Sequence, residues 1–238
     1  MKNYTDSIDY QLYLKKYDYI FDKVYFVNTE EIKLAENLSV LIENYNHSYK
    51  VSKNYGYSIS CQKICLLKAG VEIYELKMVF GKPFFQYIKH SNGNEYFICG
   101  NDLLDFSVFN ISTNKENRFV SEYIINESTE EECNNEFWYI KEWIYNSKNN
   151  LVAINGQDGM NCSTITLCDF TEPDKFPLHF KNLIEFVYNT HNESACTTYG
   201  WKENDLEIEI GEEHKQLIIL KEKEILTLLV TVRKFVKR

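Results

Sequence analysis

Proline and glycine are scarce, with three prolines and nine glycines in 238 residues. That excludes a Pro/Gly-rich disordered chain and argues against long flexible linkers. Apolar runs are also short. The longest, such as "EILTLLVTV" at 224–232, have strand length and fall well below the ~20 apolar residues of a membrane-spanning helix. The opening stretch "MKNYTDSIDYQLYLKK" has no apolar run of signal-peptide length, so a cytoplasmic protein with no membrane contact is expected. Basic residues are in deficit, with 26 Lys and Arg against 35 Asp and Glu and a net charge of −9. A protein that grips phosphate backbones presents a basic face, so no nucleic-acid partner is expected. An acidic surface instead steers cationic partners. No Cys-x-x-Cys pair occurs. The seven cysteines (61, 65, 99, 133, 162, 168 and 196) are odd in number and scattered, which predicts free thiols in a reducing compartment.

What is present is an ordinary globular balance, 44% hydrophobic and 26% charged residues. A chain of this length buries roughly 70–75% of its unfolded surface, enough for a sizeable core without staples. Eighteen tyrosines and fifteen phenylalanines favour pleated, half-buried surfaces and so favour strands.

Residues 1–50 read as a helical N-terminal segment. In "NTEEIKLAENLSVLIENY" the apolar residues Ile32, Ala35, Leu38, Leu41, Ile42 and Tyr45 fall at helical spacing. Asn28 or Thr29 can cap the start, and Glu30 and Glu31 suit the first turn. "SIDYQLYLKKYDYIF" before it suggests a shorter helix. From residue 55 short strands follow: "YSISCQKICLL" and "VEIYELKMVF" around Ala69-Gly70, then "EYFICG", "FSVFNIS", "WYIKEWIYN", "LVAIN", "TITLCDF", "DLEIEIG", "KQLIILK" and "ILTLLVTVRKFV". In "DLEIEI", Leu206, Ile208 and Ile210 alternate with Glu207 and Glu209, the mark of a strand with one wet face. The expected fold is mainly β (α+β). Antiparallel meander sheets would form a partial-propeller-like or sandwich body over 51–238, with the helical segment 1–50 packed on it as one domain, 1–238.

Two hairpins share a scheme. "EYFICGNDLLDFSVFNISTNKEN" and "NLVAINGQDGMNCSTITLCDFTEPDK" each read strand, polar gap, strand, Asp- or Asn-bearing turn, about 55 residues apart. The elements "HSNG" at 90–93, "LVAING" at 151–156, and Asp169-Phe170 with Pro173 resemble an uncharacterised family of mostly bacterial cytosolic proteins with a WD40-like β-hairpin repeat. The resemblance covers roughly residues 80–180 and implies a β-rich fold. It carries no activity. Residues 157–162 depart from the family pattern.

Candidate chemistry is thin. Reading Gly159 as the turn glycine of a calcium loop puts Ile154, Gly156 and Asp158 at ligand positions, and two of these lack side-chain oxygen. Cys61-x3-Cys65 is the closest cysteine pair. Four residues along a strand, at ~3.3 Å each, hold the two sulfurs far too wide for one zinc ion. Neither a metal nor a cofactor is expected. Cys196, five residues after His191, and Cys162, in the glycine-bearing bend, are the candidate reactive thiols. Trp138, Tyr139, Trp143 and Tyr145 form an aromatic strand beside the acidic run Glu130, Glu131 and Glu132, and together they are the candidate interface. Strand parity puts Tyr139, Trp143 and Tyr145 on one face and Trp138 with Ile140 on the other.

These residues point to a non-catalytic, cytosolic protein-binding module, in its sharper form an acidic inhibitor or immunity-type protein. One alternative is a hydrolase-like enzyme with its site in a β-sheet cleft. Another is a structural subunit of a larger assembly. The partner would be another protein, and the oligomeric state is left open.

Overall fold

The computed structural model describes residues 2–3, 8–50, 56–79, 84–100, 105–120, 139–157, 163–175, 179–211 and 214–235. It is mainly β, with four antiparallel sheets and short helices. The chain divides into two compact units, Met1–Tyr87 with Glu95–Thr129 and Ile88–Asn94 with Glu130–Arg238.

In the first unit, strands β2 (Phe26–Ala35), β3 (Leu38–Lys50), β4 (Gly56–Lys68) and β5 (Val71–Met78) form a meander in that order. A second sheet contains β1 (Lys2–Asn3), β6 (Phe84–Lys89), β7 (Glu95–Gly100), β8 (Asp105–Asn110) and β9 (Lys115–Val120) in the order β1-β9-β8-β7-β6. The inner face of the meander (Val40, Ile42, Ile64, Leu66, Leu76 and Met78) packs on Phe97, Cys99, Phe109 and Ile111 of the second sheet. This is a sandwich core, with alternate residues of each strand pointing into it. Gly100 is required where it stands, because a Cβ there would lie 1.4 Å from the Phe84 ring. The β4–β5 connection is two residues, Ala69 and Gly70, both at positive φ, as a twisted hairpin demands.

The helical segment is real but shorter than expected. Helix α1 (Ile8–Lys15) is followed by 3-10 turns at Asp18–Phe21 and Lys23–Tyr25. Ile20 of that segment packs with Tyr45, Cys61 and Val79 against one end of the meander's outer face. The helix expected over 28–45 is instead the β2–β3 hairpin, turning at Glu36-Asn37. Leu38, Val40 and Ile42 are buried in alternation, the strand period. Pairing of β3 with β4 along its whole length outweighs a weak helical pattern. The same pairing carries one sheet across residue 50, where the helical and β parts were expected to meet.

The second unit opens with the turn 88–94. Its third sheet has β10 (Tyr139–Asn146), β11 (Leu151–Gln157), β12 (Ser163–Asp169) and β13 (His179–Asn182) in order. Helix α2 (Ile184–His191) follows, then a fourth sheet of β14 (Cys196–Lys202), β15 (Asp205–Ile210) and β16 (Gln216–Leu220), and helix α3 (Glu222–Phe235). One core joins these layers: Leu151, Ala153, Ile165 and Leu167, then Cys196, Leu206, Ile208, Ile210 and Leu220, then Val187 of α2 with Ile225 and Leu229 of α3. "ILTLLVTVRKFV", read as a strand, is therefore α3. Ile225 and Leu229 sit four apart on one helical face, and the Glu224 carboxylate accepts the Lys221 N–H at 2.8 Å, half of a capping box. Among the described residues no helix is long and apolar enough to cross a membrane.

The β11–β12 hairpin pairs as expected, from Leu151 opposite Asp169 to Gln157 opposite Ser163. Its bend, 158–162, lies outside the described residues. Phe170 gathers the other elements of that unit. Its ring lies 5.7 Å from His90, 6.0 Å from Trp143 and 6.1 Å from Tyr145. His90 Nδ1 accepts the Asn92 N–H at 3.1 Å, so Nε2 carries the proton and donates to the Phe170 carbonyl at 2.8 Å. Ser91 and Tyr145 both donate to Asn150 Oδ1.

Candidate protein-docking face

The fourth sheet buries one face and exposes the other. Leu206, Ile208 and Ile210 of the central strand β15 point into the core with Leu220 of β16. Glu207 and Glu209 point outward, the wet face predicted from alternation. Register then fixes their neighbours: Glu209 stands between Thr197 and Leu217, and Glu207 stands between Gly200 and Ile219. Leu217 is 52% and Ile219 42% exposed. Tyr199, two residues on from exposed Thr197, also faces outward and is 70% exposed, at a bulge between Thr198 and Gly200 that turns Trp201 toward the core. Two aliphatic side chains, an aromatic and two carboxylates thus share one region of the second unit, a composition suited to an interface centre with a charged rim.

The edges of this sheet are guarded differently from its face. Lys215 and Lys221 bracket β16, and lysines at an edge discourage strand-to-strand pairing. Lys215 donates to Glu209 at 2.7 Å, and Lys221 to Asp205 at 2.8 Å. The Lys221 contact and the Glu222 N–H hold the Asp205 carboxyl below the usual carboxylate range. The bulge interrupts the β14 edge. What is left accessible for a partner is the side-chain face.

The residues singled out by sequence fall elsewhere. Trp143 is 2% exposed, so it packs inside the second unit and offers no docking surface. A bulge between Ile140 and Glu142 shifts strand parity and buries Ile140 and Trp143 together, against the simple alternation. Tyr145 is half-buried, its hydroxyl on Asn150 at 2.7 Å. Glu130, Glu131, Glu132, Trp138, Cys133 and Cys162 lie outside the described residues, as do the side chains of Tyr139 and His179. Cys196 is a core residue, and burial pushes its thiol up to about 11, which is the reverse of a reactive thiolate. His191 rests on the Phe186 ring at the end of α2.

Among the described residues of the first unit, several polar groupings bear on candidate chemistry. At its turn end the meander has a depression of about 330 Å³, lined by Glu31, Lys33, Asn37, Ser39 and the Ala69-Gly70 turn among others. Ser39 donates to Glu31 there at 2.7 Å, a cross-strand pair, and among the described residues lining the depression there is no histidine to make it a nucleophile. Between the sheets, Glu116 Oε1 receives Ser107 Oγ at 2.7 Å, Arg118 Nε at 3.0 Å and Arg118 Nη2 at 2.7 Å, with the Tyr74 hydroxyl 2.7 Å away. Burial, ahead of its charged neighbours, raises the Tyr74 phenol well above its ordinary value, so it stays protonated. On the meander's outer face, Cys65, Glu72 and Glu75 bring ligand atoms within 4.8 Å of one another, among the described residues a group that could hold a metal. Sequence reading missed it because it sought cysteine and histidine pairs. The missing signal is a register shift between β4 and β5, which no residue pattern announces.

Comparisons with protein-family models, curated proteins and solved structures find no match for the chain.

Proposed function

We propose that the protein is a non-catalytic binding module of the cytoplasm, and that it docks another protein through the outer face of β14–β16. The observation that carries this reading is the exposure of Leu217, Ile219 and Tyr199 beside Glu207 and Glu209 on one ordered sheet. Exposed aliphatics in register on a sheet are a cost to solubility, and they make physical sense where a partner covers them. The carboxylates and the net charge of −9 favour a partner with a basic surface, as an inhibitor of a basic site would meet. The five described cysteines are buried thiols, which suits a reducing compartment.

The test is quantitative capture from native extract, with the full chain as bait and mass spectrometry as readout. Wild type should enrich a defined protein, and Leu217→Lys with Ile219→Lys should reduce that enrichment at least tenfold while leaving the circular dichroism unchanged. Equal capture by both baits, or no enrichment together with turnover of a metabolite panel, would sink the reading in favour of an enzyme.

A further inference from the structure

We propose that Cys65, Glu72 and Glu75 form a divalent-cation site of the zinc class on the outer face of the β2–β5 sheet. The site lies in the first unit and does not rest on the docking reading.

Residues three apart on a regular strand face opposite ways, so Glu72 and Glu75 should diverge. They converge because the register slips by one between Leu66 and Leu67, which pair with Tyr74 and Glu72. Ile73 is the extra residue. The bulge brings Glu72 onto the face that Glu75 already shares with its cross-strand partner Cys65. Cys65 itself sits on β4, paired on both sides, with Leu41 on β3 and Glu75 on β5. Its sulfur is therefore held by the middle of a sheet and not by a loop.

Two carboxylates beside one sulfur repel each other unless a positive charge stands between them. A divalent cation among the Cys65 sulfur and the Glu72 and Glu75 carboxylates, whose ligand atoms lie within 4.8 Å of one another, answers that repulsion. Lys63 stands at one edge of the group. Its ammonium lies 3.1 Å from Glu43 and 3.5 Å from Glu75, so its charge is shared between them, and the Glu75 carboxylate keeps lone pairs for a second contact.

The donor set selects the metal. One sulfur and two carboxylates fit tetrahedral zinc-class ions, with bonds of about 2.3 Å to sulfur and 2.0–2.2 Å to oxygen. Those bond lengths place ligand atoms roughly 3.3–3.8 Å apart, so the observed cluster needs only a small side-chain closure. Calcium and magnesium demand six or more oxygen ligands and are disfavoured by the thiol. On binding, Cys65 loses its proton to solvent, the metal takes the sulfur lone pair, and water completes the fourth position.

The experiment titrates the purified full chain with Co²⁺ as a spectroscopic stand-in and with Zn²⁺ in competition. One equivalent of Co²⁺ should raise a thiolate-to-metal charge-transfer band in the near ultraviolet, and Zn²⁺ should quench it. Cys65→Ser should abolish the band. Glu72→Gln with Glu75→Gln, both at exposed positions that leave the core untouched, should weaken Co²⁺ at least tenfold. A wild type without the band, a band that persists in Cys65→Ser, or Co²⁺ affinity unchanged by the double glutamine variant would overturn the proposal.

Discussion

Removing the Glu116 carboxylate tests how the first unit's two sheets are held together. Glu116→Ala takes from Arg118, whose side chain is 9% exposed, the carboxylate that it bonds through Nε and Nη2. It also removes the acceptor of the Ser107 hydroxyl and of two guanidinium bonds. Breaking one side of a buried ion pair costs about 3–5 kcal/mol. The low end applies here, about 3 kcal/mol, because Glu116 keeps 26% of its side-chain surface in water. With a urea slope of about 2 kcal/mol per molar, the first unit's midpoint should fall by about 1.5 M. All three tryptophans (138, 143 and 201) lie in the second unit, so their fluorescence does not report on the first. Hydrogen exchange by mass spectrometry on β5, β8 and β9 peptides across a urea series reads the transition directly. Glu116→Leu combined with Arg118→Met should recover most of the loss, because both charges of the pair leave together and Tyr74 lies 2.8 Å from Ser107 Oγ and can still pair with it. The reasoning is refuted if Glu116→Ala shifts the midpoint by less than about 0.3 M, or if the double variant is less stable than the single one.

Trp143→Ala should cost about 3–5 kcal/mol in the second unit, since it empties a large buried site, and a native-like denaturation midpoint would contradict its assignment as core. His90→Phe keeps ring packing on Phe170 but removes the donor to its carbonyl. A loss of about 1–3 kcal/mol, followed by tryptophan fluorescence during thermal unfolding, is expected. Ala69 pays for a left-handed backbone at φ 51°. Ala69→Asn should therefore stabilise the β4–β5 turn by about 0.5–1 kcal/mol, and any drop in melting temperature would count against the turn geometry. Asp205 titrates below the ordinary carboxylate range when folded, so its links to Lys221 and Glu222 are fully formed at neutral pH and are lost as pH falls through its folded value. Amide protection at the start of α3 should decline there on acidification, and Asp205→Asn should remove that acid-dependent step.

Some of this architecture could be read directly from residue order, and the reasons differ element by element. "DLEIEI" declares β15 because strict alternation has one physical solution, a strand with one buried face. Residues 28–45 mislead because apolar positions at 32, 35, 38, 41, 42 and 45 satisfy helical spacing while 38, 40 and 42 satisfy strand spacing. Only the partner strand β4, distant in sequence, decides between them. α3 misleads in the opposite direction: β-branched residues suggest a strand, and the Asp205 and Glu224 contacts at its start set the helix. Three bulges hide the rest. One aligns Trp143 with Ile140 in the interior, one brings Glu72 beside Glu75, and one turns Trp201 toward the core.

The strand β16 carries this reasoning to the docking face. "KQLIILK" has four apolar residues in a row, so alternation is silent about which pair points inward. A strand buried on both faces needs such a run, and so does an exposed strand that binds something. The flanking lysines argue for the second case, because a strand buried on both faces has no water in which to keep an ammonium at each end. Burial of Leu220 with exposure of Leu217 and Ile219 agrees with that choice. The apolar residues on the outer face therefore keep about half of their surface in water. Replacing them with lysine should leave folding intact and change only what the face can hold.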